Sequence, residues 1–511
     1  MSTLRHLIAA GVGTAIALSS IDLSAAQELP PLPQSQPSPT IPTNSSIAQS
    51  AAPTNPQNIQ ANPAPEFLNP NANPLLFPTK SEEVQVSHIQ PITLQQALDL
   101  ARRNNRELQV GVLTLESSRA ALRKAQAALY PTLDLETDLT RSDSASARLS
   151  NLRQSTTLFN QTQNTISNTF NGTLQLSYNL YTSGLREASI RAASEQVRFD
   201  ELDVERLSEQ LRLDVSNAYY DLQNADAQVQ IFRAAVKEAE KTLQNALQLE
   251  QVGLGTQFDV LRTRVQLANA NQDLTKGLSQ QRIARRQLVQ QLSLAQTVEV
   301  TAADPIKEAG TWKLSLEQSI VLSLKNRAEL EQFLVKREIG EQQRQVALAG
   351  VKPQVSLFAN YNLLDSLDDS FGPTSGYSIG ARLQWSLFDG GSARSSAEQQ
   401  EVNKAIMETQ FANSRNQIRF QVEQAYFTLD SNKENIATAT VAEQQATESL
   451  RLAQLRFEAG VGTLLDVITA QTELTRARGN RLTAILDYNR ALASLQRYVS
   501  NLPDSQLFDV P

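Results

Sequence analysis

Between Leu185 and Gln251 the chain runs 67 residues with no proline and no internal glycine. Apolar residues recur along it at spacings of three and four. One face reads Ile190, Ala193, Val197, Val204, Leu207, Leu211, Val215, Ala218, Leu222, Ala225, Val229, Phe232, Val236, Ala239, Leu243 and Ala246, broken only by Asp200. That pattern predicts one helix, with a stutter in its heptads at Leu207–Leu211–Val215. At about 1.5 Å per residue it is roughly 100 Å long, several times the diameter of an ordinary domain. Such a helix cannot be wrapped inside a globule and must pack lengthwise against partners of similar length.

The same chain supplies one. Ser392 to Ala459 repeats the run at an offset of 207, placing Phe411, Ile418, Val422, Ala425, Leu429, Ile436, Ala439, Ala446, Leu450 and Ala453 in register with the first stripe. Both runs stop at matching punctuation, Gly253-Leu254-Gly255-Thr256 and Gly460-Val461-Gly462-Thr463. The sequence is an internal duplication. Thr93-Leu-Gln-Gln96 and Ser315-Leu-Glu-Gln318 are capping boxes that open a first helix in each half. Shorter helices are expected at about 106–129, 257–292, 327–350 and 464–499. Stacked end to end, the short helices of one half match the long one, in lengthwise knobs-into-holes packing.

After Tyr130-Pro131 and Lys352-Pro353 the apolar period drops from 3.6 to 2. Leu133, Leu135, Thr137 and Leu139 alternate with Asp134, Glu136 and Asp138, and Phe170 to Leu180 alternates likewise. The second half repeats this at Val355 to Tyr361 and Tyr377 to Leu387. Strands are expected at about 132–141, 170–181, 353–362 and 376–388, each of about ten residues, the length that crosses a bilayer when tilted. Tyr178, Tyr181, Trp385 and Phe388 fall at one end, where an interfacial girdle would lie. Taken alone, the strands equally fit a hairpin with one face on a soluble core. The polar hairpin loops, about 142–169 and 363–375, and the export signal favour a membrane. Four strands cannot close a barrel and open edges are not tolerated in lipid, so a membrane location demands an oligomer.

Met1 to Ala26 reads as a secretory signal peptide, with Arg5, an apolar Leu7–Leu18 and the small residues Ser24-Ala25-Ala26. No later segment has 18 consecutive apolar residues. Residues 27–91 hold 14 of the 20 prolines and read as a disordered linker ending near a solvated His88. The halves span residues 92–310 and 311–500. Gly310–Leu314 and the 501–511 tail read as connectors.

The net charge of −7 is modest, and its Lys and Arg are scattered, which points away from nucleic acid. There is no Cys, and His occurs only at positions 6 and 88. Nucleophilic and metal chemistry lack their parts, no phosphate-binding glycine loop is present, and neither an enzyme nor a cofactor is expected. Asp134 and Glu136 read as pore lining.

On helix, strand, strand, long helix, turn and helix, twice over from about Thr93 to Val499, the chain resembles the TolC family of outer-membrane efflux proteins. Its most specific local pieces are Val252–Leu261 and Ala459–Ile468. The resemblance implies a mixed α and β membrane protein: a homotrimer with four strands per chain in one twelve-stranded outer-membrane barrel, continuous with a helical coiled-coil tunnel across the periplasm. It implies a passive export channel gated at its periplasmic tip. Its partners would be outer-membrane lipid, a periplasmic adaptor (membrane-fusion) protein and, through it, an inner-membrane pump of ABC, RND or MFS type. The turns Gly253, Leu254, Gly255, Thr256, Gly460, Val461, Gly462 and Thr463 would meet the adaptor. Asp466 matches the position lining the entrance constriction, Asp259 is its counterpart in the first half, and a second acidic position is Thr469 here. Independently of the resemblance, Thr256-x-x-Asp259 and Thr463-x-x-Asp466 have capping-box spacing, and the glycines are turn residues. Arg262 and Arg264 are candidate tip contacts or solvated arginines. The alternative is a periplasmic coiled-coil adaptor or scaffold, which would explain the heptads but not the strands.

Overall fold

A computed structural model describes residues 68–70, 73, 75–86, 88–154, 165–368, 372–499 and 508–509. The signal peptide and most of the proline-rich stretch lie outside these residues.

Two 67-residue helices dominate, α4 (Leu185–Gln251) and α8 (Ser392–Glu458). In the first half α1 (Leu94–Asn104) and α2 (Arg106–Gln126) precede the long helix, and α5 (Gln257–Gln291) follows it. In the second half α6 (Leu316–Asn326) and α7 (Ala328–Ala349) precede it, and α9 (Leu464–Val499) follows. Both capping boxes form, on Thr93 with Gln96 and on Ser315 with Gln318. The chain packs α4 in the middle, against α2 and α5 of its own half and α7 and α9 of the other, whereas α8 meets α6, α7 and α9. Val215, Leu222 and Val229 of the α4 stripe are fully buried. The break in the stripe is satisfied: buried Asp200 accepts from Gln196 Nε2 at 3.1 and 3.2 Å.

Strands β2 (Thr132–Asp143), β3 (Ile166–Tyr181), β6 (Gln354–Ser366) and β7 (Thr374–Gln384) form one antiparallel sheet in the order β2-β3-β6-β7. They are 12, 16, 13 and 11 residues long, mostly longer than the ten expected, because pairing continues into the polar stretches read as loops. The second loop is correspondingly shorter, and the first contains a helix, α3 (Ala145–Gln154). β7 ends before Trp385, whose indole N–H reaches the Val351 carbonyl at 3.1 Å.

Two small ladders have no counterpart in the sequence reading. β1 (His88–Ile92) pairs in parallel with β4 (Val298–Ala302), and β5 (Thr311–Trp312) pairs with β8 (Phe508–Asp509). The linker expected to run to residue 91 therefore ends earlier. Leu68 is fully buried in the main core, and its carbonyl accepts from Ala295 N–H at 3.2 Å. Thr311–Trp312 and Phe508–Asp509, inside stretches read as connectors, are likewise paired. Pro91 and the shortness of these strands hid them; a proline sits acceptably on such an edge strand.

The segment joining the halves is fastened to helices of both. Tyr219 Oη of α4 lies 2.7 Å from Asp304 Oδ2, and Gln223 Nε2 donates to the Asp304 carbonyl at 3.0 Å. From α9, Tyr488 Oη donates to the Gly310 carbonyl at 2.7 Å and Asn489 Nδ2 to the Lys307 carbonyl at 2.9 Å. Backbone carbonyls of an irregular connector, the buried one of Gly310 among them, are thus satisfied by side chains of rigid helices.

Candidate functional site

Each tip begins where a long helix runs out. Gly253 and Gly460 take φ of +76° and +72°, the left-handed conformation that closes a helix C-terminus with glycine. The next two amides fold back: Leu254 and Gly255 N–H donate to the Leu249 carbonyl, and Val461 and Gly462 N–H to the Arg456 carbonyl, all at 2.9 Å. A Cβ on Gly255 would sit 3.1 Å from the Glu250 backbone nitrogen, and one on Gly462 would sit 2.9 Å from Arg456 Cβ. A side chain would thus be strained at the first glycine of each turn and crowded at the second.

The following helices start on the expected reciprocal caps. Thr256 Oγ1 accepts from Asp259 N–H at 3.2 Å, and Asp259 Oδ2 from Thr256 N–H at 3.3 Å. The second tip repeats this at 3.2 and 2.9 Å between Thr463 and Asp466. Removing the hydroxyl in Thr256→Ala is expected to cost about 1 kcal/mol of local helix-end stability, read as faster amide exchange over residues 257–260. Unchanged exchange there would remove the cap from the tip's architecture.

Val260, Leu464 and Ile468 pack with Ala246 into one buried cluster that ties the two tips together. Asp466 and Thr469 lie on the exposed face of α9, and Asp259 is half-buried. Leu254 and Val461 stand 80% and 69% exposed at the turns. Arg262 stacks over the Phe258 ring at 5.4 Å. The Asp466 carboxyl is held below the ordinary carboxylate range by the Thr463 backbone and hydroxyl, with Arg456 adding its positive charge. Arg456 was not singled out in the sequence, although the 207-residue offset sets it opposite Leu249. The tips are thus electrostatically unequal.

The register of the sheet sorts its side chains into continuous rows. Leu135, Leu174, Tyr361 and Tyr377 form one, and Leu133, Leu176, Ala359 and Ile379 the next. On the opposite face run Asp134, Gln175, Asn360 and Ser378. Phe358 departs from this polar face, lying over Gly380, with Arg382 stacked on its ring at 5.5 Å. The apolar rows are uncovered in the single chain, with Leu135 72%, Tyr377 80% and Ile379 79% exposed. Among the described residues, the edge strands β2 and β7 have no partner on their outer side.

Among the described residues no cluster of His, Cys, Asp and Glu could hold a metal ion. No described helix is long and apolar enough to cross a membrane.

A family model described as outer membrane efflux protein matches residues 97–293 and 319–501. Outer membrane protein TolC of Vibrio cholerae is 22% identical over 334 residues, covering 63% of this chain and 75% of that protein. Antibiotic efflux pump outer membrane protein ArpC of Pseudomonas putida is 24% identical over 450 residues, covering 83% of this chain and 88% of that one. Among solved structures, the Campylobacter jejuni CmeC outer membrane channel superposes with a TM-score of 0.68 at 18% identity, over 86% of this chain and 97% of that one. Duplicated helices, four-stranded sheet and paired tips agree with a match in each half: the chain belongs to the outer membrane efflux protein family.

Proposed function

We propose that the chain is one protomer of a homotrimeric export channel in the outer membrane, its helices forming a tunnel in the periplasm. The observation that carries this reading is the uncovered apolar face of an open four-stranded sheet, joined directly to helices of about 100 Å. Lipid would cover the face, and neighbouring protomers would pair with the open edges of β2 and β7.

The duplication also supports the way the protomers would join. In one chain the long helix α4 packs against the short helices α7 and α9 of the other half. By pseudo-symmetry α8 awaits the α2 and α5 of a neighbour. Its side chains fit that expectation: Phe420 and Phe427 are 57% and 60% exposed, as are Val110 at 61% on α2 and Ile283 at 55% on α5. Such a head-to-tail contact closes into a ring.

The channel is passive. Energy comes from an inner-membrane pump of ABC, RND or MFS type acting through a periplasmic adaptor, and the chain itself does no catalysis. The adaptor meets the glycine turns 253–256 and 460–463. The narrow end is lined by Asp259, Asp466 and Thr469, and charge there sets ion preference.

Single-channel conductance in a planar bilayer tests this, wild type beside Asp259→Ala/Asp466→Ala. A small steady conductance in wild type and loss of cation preference in the variant are expected. Conductance indifferent to the change would remove the aspartates from the pore. No conductance from folded oligomer of either form would return the chain to a periplasmic adaptor or scaffold.

A further inference from the structure

Near the tip, a cleft of about 400 Å³ opens between α4 and α8, with Leu464 and Val467 of α9 buried at its base. That volume is in the range of small-molecule sites. Its lining is graded along its length. The end toward the turns is apolar, formed by Leu249, Val252, Phe457, Leu464 and Val467 beside the exposed carboxylate of Glu458. The far end is polar, formed by Glu238, Lys241, Thr242 and Asn245, with Gln248 where the two ends meet. About 14 residues separate Glu238 on α4 from Val252 just past its end, a span of roughly 20 Å.

The charges decide what fits. Lys241 stands one turn from Glu238, so that end is close to neutral. No basic side chain lines the cleft near Glu458, and neither carboxylate is in an ion pair with a described residue. A carboxylate next to Phe457 and an aliphatic floor suits a cation with an apolar body: the aromatic face and the carboxylate both attract positive charge, and the floor removes apolar surface from water.

We propose that this cleft is a binding site for small amphipathic organic cations, with the charge at Glu458 and the apolar body against Phe457, Leu464 and Val467. Its walls belong to different hairpins, α4 with α5 and α8 with α9, so a bound molecule touches both. Binding is measured without conductance, so it stands or falls separately from the channel reading.

The test uses tetraphenylphosphonium and its near-isosteric anion tetraphenylborate on the full chain in lipid nanodiscs, with empty nanodiscs subtracted for partitioning. Saturable phosphonium binding is expected in wild type, with the borate at least tenfold weaker. Glu458→Lys should weaken the phosphonium at least tenfold and strengthen the borate. Phe457→Ala should weaken the phosphonium, while Glu448→Gln, outside the cleft, should leave it unchanged. Circular dichroism melts confirm that each variant is folded. Equal binding of the two ions to wild type, or phosphonium binding unmoved by Glu458→Lys, overturns the proposal.

Discussion

Arginine in place of Leu135 is expected to prevent the chain from entering a membrane as a stable assembly. Leu135 lies on the edge strand β2 at one end of an uncovered apolar row, 72% exposed and paired across the strands with Leu174. If water covered that face, an exposed Leu→Arg change would move stability by no more than about 0.5 kcal/mol. If lipid covers it, a guanidinium near the bilayer midplane costs about 2–4 kcal/mol per chain. Three chains sharing one barrel would bear about 6–12 kcal/mol, enough to abolish assembly. The measurement is the fraction of chains recovered as detergent-resistant oligomer after folding into lipid vesicles. Glu136→Arg, one residue along and on the polar face, is the control and should assemble as wild type does. Normal assembly of Leu135→Arg would mean that the sheet does not face lipid, and the soluble hairpin would regain its place.

The parts of this fold legible in the sequence are those where one physical rule dominates. The long helices are set by an unbroken 3.6 period, so α4 runs from Leu185 to Gln251 as expected. The sheet faces are set by a period of 2, and the register keeps Leu133 and Leu135 on one side and Asp134 and Glu136 on the other. Tip capping depends on residues three apart and was equally plain. What stayed hidden depends on partners distant in sequence. Nothing local marks Tyr219 as the group that holds Asp304, 85 residues away, or Leu68 as a core residue inside a proline-rich stretch. The pairing of β1 with β4 crosses more than 200 residues, and both strands are too short to show a period. Arg456 was visible by aligning the halves, but its effect on Asp466 depends on how the turn folds back.

The two halves also differ where their paired short helices break, and the difference predicts the largest loss of stability in the helical part. In the first half the break is neutral: Asn105 caps α2, accepting from Leu108 N–H at 2.9 Å and donating to the Gln291 carbonyl at 3.2 Å. An offset of 222 puts Arg327 at that point in the second half. There Glu329 lies between two guanidiniums, 2.7 Å from Arg327 Nη2 and 2.7 Å from Arg497 Nη2, with Arg327 and Arg497 side chains only 8% and 6% exposed. Arg327 also stacks over the Tyr498 ring at 5.8 Å. Burial pushes the Glu329 carboxyl up, but the Arg327 hydrogen bonds and the charges of both arginines outweigh it and bring the carboxyl down to about 2. Arg497 Nε has no hydrogen-bond partner among the described residues, so this charge has little else there to fall back on. Glu329→Gln would leave two buried guanidiniums uncompensated, a change worth about 3–5 kcal/mol. The pH dependence follows with a definite sign. A carboxyl lowered from 4.5 to about 2 adds stability that is complete above 4.5 and fades as pH falls toward 2. Wild type should therefore lose thermal stability through that window, and Glu329→Gln, already destabilised at neutral pH, should lose less. Thermal melts by circular dichroism between pH 2 and 7 compare the two. Parallel losses on acidification would show that another carboxylate carries the acid sensitivity. An unchanged melting temperature at neutral pH would show that the paired charges hold nothing at the second break that a neutral amide could not, and the asymmetry of the halves would have no energetic meaning there.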